Sequence, residues 1–265
     1  MTEAPVVLAE EGGIHFPPGI ENFNYGDWFS AVPGGWFTTI TFGIFLAVGI
    51  LLCFFLITYR DPKIVPTKGQ WLAESIYGFV RDGIAKDIIG PQGVKFAPYF
   101  TVLFCFIALT NVMAIVPGIQ ISPNAHIAFP LILGVLSWII YLAVGVKKHG
   151  FFGYLKASSI PSGTPGYMYP IIIPIEFLSN LILRPITLSV RLFANMFAGH
   201  MILLVFLLGG FTLFEAGGWF MAASPLAFIM AIVMTFFEFF IQLLQAYVFT
   251  LLTAVYIQTS LADEH

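Results

Sequence analysis

The 265-residue chain is poor in charged residues, which make up only 9% of it. An ordinary soluble domain carries about 25% charged residues, so this chain cannot cover a soluble globule. The scarcity argues against a cytosolic enzyme, a nucleic-acid-binding protein and a disordered scaffold. Cysteine is scarce too: Cys53 and Cys105 lie inside apolar runs, and there is no CxxC motif or Cys/His cluster. A disulfide framework or a zinc site is therefore not expected.

Hydrophobic residues are abundant instead, at 58% of the chain, and the mean hydropathy is +0.91. Five apolar stretches are long enough to cross a hydrocarbon core of about 30 Å. They cover about 36–59, 96–116, 127–146, 171–208 and 225–260. We therefore predict an all-α, polytopic membrane protein, with a single transmembrane domain over residues 36–265.

Two segments outside these stretches, residues 1–35 and 70–90, differ in composition from the apolar spans. Residues 1–35 carry five acidic residues and no Lys or Arg, which predicts an acidic extracytoplasmic tail and not a secretory signal. Residues 70–90 place apolar side chains at every fourth position, which predicts an amphipathic helix on the membrane surface.

The last two apolar stretches are much longer than a membrane is thick. Each would be about 54 Å long as a helix at 1.5 Å per residue. We predict that they pack as an antiparallel hairpin of oblique helices, with a kink near Pro185 in the first. The connection over residues 209–224 contains four glycines and is expected to be a loop.

The positions of the Lys and Arg residues predict how the chain is oriented in the membrane. Of eleven Lys and Arg residues, six lie between positions 60 and 95 and three lie at 147, 148 and 156. The other loops have none, so cations occur in alternate loops. The positive-inside rule then predicts an N-terminus outside and a C-terminus inside, with five spans. The lack of a targeting peptide favours a bacterial inner (plasma) membrane.

Polar residues inside the last two stretches are the functional candidates, because a bare charge at mid-bilayer costs about 2.5–3.5 kcal/mol on insertion scales. Arg191 stands furthest from any loop cation. It is either a structural ion pair with Glu176 or Glu238, or a fixed cation facing a mobile carboxylate of another subunit. Arg suits the second role because it stays protonated when partly desolvated.

The hairpin predicts which of these residues face each other. Facing residues of an antiparallel pair have a nearly constant sum of residue numbers, and one register places His200 opposite Glu238 and Arg191 opposite Gln245. His and a buried Glu both suit proton exchange near neutrality. Asn195 lies one turn from Arg191 and could orient water.

Structural alternatives remain for the same residues. His200 and Glu238 could form a buried salt bridge, and the amides Asn195, Gln242 and Gln245 could serve as interhelical hydrogen bonds. Glu176 and Arg184 could snorkel to the inner surface.

Three runs resemble the a subunit of F-type ATP synthases, the ATPase A chain family. They are RLFANMFAGH at 191–200, LQAYVFTLLTAVY at 244–256, and TNVMAIVPG at 110–118. The resemblance implies a stator subunit of the Fo sector, not catalytic alone and without a cofactor. Its implied partners are the c-subunit ring, b-type peripheral stalk subunits, membrane lipid and, indirectly, the F1 catalytic head.

The resemblance also implies residue roles. Protons would pass through two offset half-channels to and from the carboxylates of the c ring, coupling proton flow to rotation and ATP synthesis. The essential family arginine matches Arg191, and Asn195 and Gln245 match the family's asparagine and glutamine. His200 and Glu238 match a titratable pair of the outer half-channel, with the residue types exchanged relative to some bacterial members. Glu176 resembles an acidic residue of the inner half-channel.

Other functions fit the residues less well. A proton-coupled secondary transporter is the alternative, but such proteins commonly show internal repeats and none is visible here. An intramembrane protease would need a plausible nucleophile or paired acids, and HExxH and GxSxG are absent.

Overall fold

The structure, a computed structural model, describes residues 38–116, 123–150, 153–154 and 169–262. The predicted tail over 1–35 lies outside the described residues. Eight α-helices occur in the described part: α1 Thr39–Thr58, α2 Lys68–Val80, α3 Ala97–Val112, α4 Ala128–His149, α5 Tyr169–Leu178, α6 Arg184–Ala216, α7 Gly218–Met221 and α8 Ser224–Leu261. Two π-helices, Arg81–Ile89 and Ser179–Leu183, extend α2 and join α5 to α6. Two 3₁₀ segments, Pro91–Phe96 and Pro123–Ala125, precede α3 and α4.

Five helical runs are long and apolar enough to cross a membrane, which confirms the predicted all-α, five-span architecture. They are Thr39–Thr58, Pro91–Val112, Ala128–His149, Ile171–Ala216 and Ser224–Leu261. The first of these, α1, is little covered by the rest of the chain, with side chains such as Leu56 and Ile57 about three-quarters exposed. Such exposure suits a helix whose solvent is lipid.

The predicted amphipathic helix is α2 together with the π-helix that follows it. Thr67 caps its start, because its hydroxyl accepts a hydrogen bond from the backbone N–H of Gln70 at 3.3 Å. Val80 and Ile84 are buried in one core cluster with Phe100 and Ile257 of α3 and α8. The change from α to π at Arg81 was not visible in the apolar spacing.

The α6–α8 hairpin forms the most extensive helix pair of the described residues. It is longer than predicted: residues 209–216 belong to α6, so the expected loop over 209–224 is wrong for that half. Gly210 has no side chain where the ring of Phe228 packs, since a Cβ there would lie 3.2 Å from a ring carbon. Ser224 also donates to the Gly210 carbonyl at 2.8 Å. Close packing across the hairpin therefore overrides the helix-breaking tendency of the glycines.

The break in the stretch predicted over 171–208 lies just before Pro185 and not at it. The α-helical pattern changes to a π-helix over Ser179–Leu183, and Pro185 occupies the first turn of α6. A proline is tolerated there because its missing N–H would have no partner in the helix. The π segment is held from α4, where the buried Tyr141 hydroxyl donates to the Asn180 carbonyl at 2.7 Å.

The cation-bearing segments lie at one end of the bundle, which we call the basic end. The Lys148 ammonium at the end of α4 donates to the Leu261 carbonyl at the end of α8. Ile84 of the amphipathic helix shares a core cluster with Ile257 near the same end of α8. The two regions that carry the loop cations therefore belong to the same side of the protein.

Candidate functional site

The polar residues of α6 and α8 meet near the middle of the hairpin. The Asn195 amide donates to Gln245 Oε1 at 2.8 Å. About one turn before Gln245 on α8, the Gln242 amide lies 3.3 Å from Met196 Sδ of α6. These contacts give the hairpin the register expected from the sequence, with a shift of no more than four residues.

Arg191 lies on the exposed face of α6. Leu188 and Leu192, on either side of it, point inward and are buried, so the guanidinium projects away from the bundle. The expected contact with Gln245 is not formed, because Gln245 is buried and accepts from Asn195 instead. Within the described residues the one salt bridge joins Arg81 to Asp82, so Arg191 is not paired with Glu176 or Glu238.

The exposed face of α6 next to Arg191 carries small side chains. Ala194 and Ala198 follow Arg191 along α6 at helical spacing, and both are exposed. Small side chains allow the backbone of a neighbouring helix to approach closely in a membrane. On α8, apolar side chains are exposed over the corresponding stretch, including Phe237, Phe240 and Leu244. The arrangement offers a single fixed cation to whatever helix lies against this surface.

Glu238 lies at the level of Gly199 and His200, as the register predicts. Glu238 is 3% exposed and His200 is 8% exposed. A Cβ at Gly199 would lie 3.1 Å from Glu238 Cγ, so the glycine gives the carboxylate its space on the α6 side. Glu238 Oε1 accepts from the Gln242 amide at 2.9 Å, and Oε2 has no hydrogen-bond partner among the residues described.

The chain matches the model of a known protein family. The family model for the ATP synthase A chain matches residues 40–258, which include α6, most of α8 and every polar residue of the site. The chain belongs to the ATP synthase A chain family. It is thus an a-type subunit of the membrane sector, Fo, of an F-type ATP synthase.

Curated relatives cover nearly the whole chain. ATP synthase subunit a of Nocardioides sp. is 42% identical over 276 residues, spanning 99% of each chain. ATP synthase subunit a of Rhodococcus erythropolis is 46% identical over 219 residues, spanning 82% of this chain and 80% of its own. That of a Parafrankia species is 42% identical over 97% of this chain and 88% of its own.

In this member of the A chain family, a buried amide relay supports the site from α3. Asn124, in the 3₁₀ turn before α4, donates to Asn111 Oδ1 at 2.7 Å and to Thr110 Oγ1 at 3.0 Å. Asn111 donates in turn to the backbone carbonyl of Gln242 at 3.1 Å. The sequence offered Gln242 only as an interhelical hydrogen-bonding residue and offered no functional role for Asn111. The four-residue spacing of Glu238 and Gln242 was the one local signal of their contact.

Glu176 does not join this cluster. It lies on α5, beyond the π-helix and roughly 20 Å from Arg191 at helical rise. Its nearest polar contact is long: the Asn180 amide lies 3.5 Å from Glu176 Oε1. Arg184 lies over the ring of Tyr256 at 5.0 Å, near the basic end.

No metal centre is formed in the part of the chain that the structure describes, where no three His, Cys, Asp or Glu residues come together suitably.

Proposed function

We propose that this chain is the stator subunit a that carries protons through two offset half-channels to and from the carboxylates of a c-subunit ring. Ring rotation, ATP synthesis and proton flow would then be coupled at the α6–α8 surface. The observation that carries the proposal is the exposed Arg191, which has no anionic partner among the described residues.

A lone cation in lipid is costly, at about 2.5–3.5 kcal/mol on insertion scales, so Arg191 calls for an anion from outside the chain. A ring carboxylate that reaches Arg191 is favoured in its charged form, because an opposite charge within about 4–6 Å stabilises the anion. It therefore gives up its proton before it passes. The same cation repels a proton moving directly between the two half-channels, which leaves rotation as the path.

The remaining residues divide between the two sides of Arg191. His200 and Glu238 lie towards the α6–α8 turn and would serve the outer half-channel. Glu176 lies towards the basic end and would serve the inner one. Asn195 and Gln245, hydrogen-bonded to each other beside Arg191, would fix the two long helices at the point where the ring passes.

The proposed partners follow from the exposed surfaces. The c ring would lie against Arg191, Ala194 and Ala198, and lipid would cover the apolar faces of α1. The b-type peripheral stalk and, through it, the F1 head would hold the subunit still. We propose no nucleic-acid partner.

A cross-linking experiment tests the ring contact. In a complex with Cys53 and Cys105 replaced by Ser, Ala194→Cys carrying a photoreactive maleimide should form an adduct with the c-type subunit, because Ala194 is exposed beside Arg191. Leu192→Cys is the matched control, since Leu192 is buried two positions away. Gel analysis of the purified complex measures the adduct. A chain that labels only lipid from position 194, or never co-purifies with c-type subunits, would favour the secondary-transporter alternative.

Orientation has its own test. We propose a bacterial plasma membrane with the N-terminus outside and the C-terminus in the cytoplasm, because the end of α4 with Lys148 and the amphipathic helix both contact the end of α8 at the basic end. A fluorescent protein that folds only in the cytoplasm should be bright when fused after residue 265. An alkaline phosphatase fused at the same place should be inactive. The opposite pair of results would reverse the assignment of the two half-channels.

A further inference from the structure

The contact between Gln242 and Glu238 has a consequence beyond the proposed proton path, although it rests on that path. The two side chains are one turn apart on α8, and both are almost fully buried. The amide of Gln242 donates to Glu238 Oε1 at 2.9 Å. The other carboxylate oxygen, Oε2, has no hydrogen-bond partner among the described residues. The two oxygens of one carboxylate are therefore not equivalent.

Gln242 is itself held in place from a distant part of the chain. Asn111 binds the backbone carbonyl of Gln242, and Asn124 holds Asn111 through a 2.7 Å hydrogen bond. All three amides are 1% exposed or less. Each of the three amides donates at least one hydrogen bond, and a connected set of buried hydrogen bonds favours one geometry. The amide oxygens of Gln242 and Asn124 have no partner among the described residues. The relay thus ties the turn of α8 that carries Gln242 to α3.

We propose that Gln242 is a positioning residue that occupies Glu238 Oε1, so that the transported proton is taken up and released at Oε2. Gln242 neither gains nor loses a proton in this step. Its donated hydrogen bond fixes the carboxylate plane and supports the charged form, which must be restored after each proton leaves. Asn111 and Asn124 act through Gln242 by holding its backbone.

Few other charges face Glu238. It is the only charged residue of α8, and α3 carries none. From α6, His200 follows Gly199, which contacts Glu238, and Arg191 lies more than two turns further along. His126 lies in the turn after Asn124. The other titratable groups of the adjoining helices α3, α6 and α8 lie further along them, and they are Tyr99, Cys105, Arg184, Glu215, Tyr247 and Tyr256. If substitution of Gln242 shifts the pH profile, few titratable groups other than Glu238 and His200 could account for the shift.

The test is the rate of ATP synthesis by the whole complex in vesicles, measured against the pH of the outer side. Gln242→Met keeps the length of the side chain and removes the amide. We expect a complex that assembles, with the profile moved to higher pH by about one unit, the size expected for losing one hydrogen bond to a charged group. Thr250→Val is the control, because it removes a buried α8 hydroxyl that binds only its own helix backbone. Its profile should match the parent.

Asn111→Leu supplies a second, independent variant. It leaves Gln242 unchanged and should shift the profile in the same direction by less. Combining it with Gln242→Met should add little further shift, because the two residues act in series. If Gln242→Met does not assemble, Asn111→Leu decides alone: a parental profile in that variant would overturn the proposal.

Failure of this inference can be told apart from failure of the proton path. If Glu238→Gln abolishes synthesis while Gln242→Met keeps the parental pH profile, Glu238 carries protons and Gln242 does not position it. If Glu238→Gln leaves synthesis intact, the proposed path itself is wrong.

Discussion

Complexes that carry Arg191→Ala should lose ATP synthesis while they leak protons at least as fast as the parent. Arg191 is the one cation exposed beside the small-residue face of α6, so nothing else on that face can replace it. An opposite charge at about 4 Å is worth about 4 kcal/mol at an effective dielectric constant of about 20, which is roughly a thousandfold in an equilibrium. Without that term a passing carboxylate keeps its proton, and the barrier between the half-channels is lost.

The measurement is ATP synthesis and passive proton flux in the same vesicles, with the amount of assembled complex determined by gel. Arg184→Ala is the matched control, because Arg184 lies two turns earlier near the basic end and packs over Tyr256. It should keep most of the parental synthesis. Normal synthesis in Arg191→Ala would remove Arg191 from the mechanism. Loss of assembly in that variant alone would make it a structural residue.

Much of this arrangement was predictable from the order of residues. The low charge and five apolar stretches gave the spans, because no soluble fold can hide that much apolar surface. The register of the hairpin followed from its antiparallel geometry, and the contact of Gly199 with Glu238 agrees with it. The exposed position of Arg191 does not follow from that register, which placed Arg191 opposite Gln245. Leu188 and Leu192 occupy the buried side of the helix, and Arg191 lies on the other side.

Other features depend on contacts that a local pattern does not contain. Gly209 and Gly210 favour a turn by propensity, yet the ring of Phe228 keeps that segment helical by packing against it. The Asn111 contact with Gln242 joins residues 131 positions apart, so no local sequence pattern predicts it. The π-helix before Pro185 is likewise held by Tyr141 from another helix. Tertiary packing decided each of these.

Glu238→Gln should stop synthesis by a different route from Arg191→Ala. The amide has nearly the same shape and still fits beside Gly199, but it cannot carry a proton at Oε2. Removing a positioned proton-transfer group typically costs about 100-fold or more in rate. Arg191 remains in place, so the barrier between the half-channels is intact.

Passive proton flux separates the two variants. We expect Glu238→Gln vesicles to leak less than the parent, whereas Arg191→Ala vesicles leak as much or more. Glu215→Gln is the control, because Glu215 is an exposed carboxylate near the end of α6 that lies away from the basic end, about 16 residues along the helix from Gly199. It should retain parental synthesis. If Glu238→Gln and Glu215→Gln behave alike, protons enter without Glu238, and the outer half-channel must be placed along other residues of the hairpin.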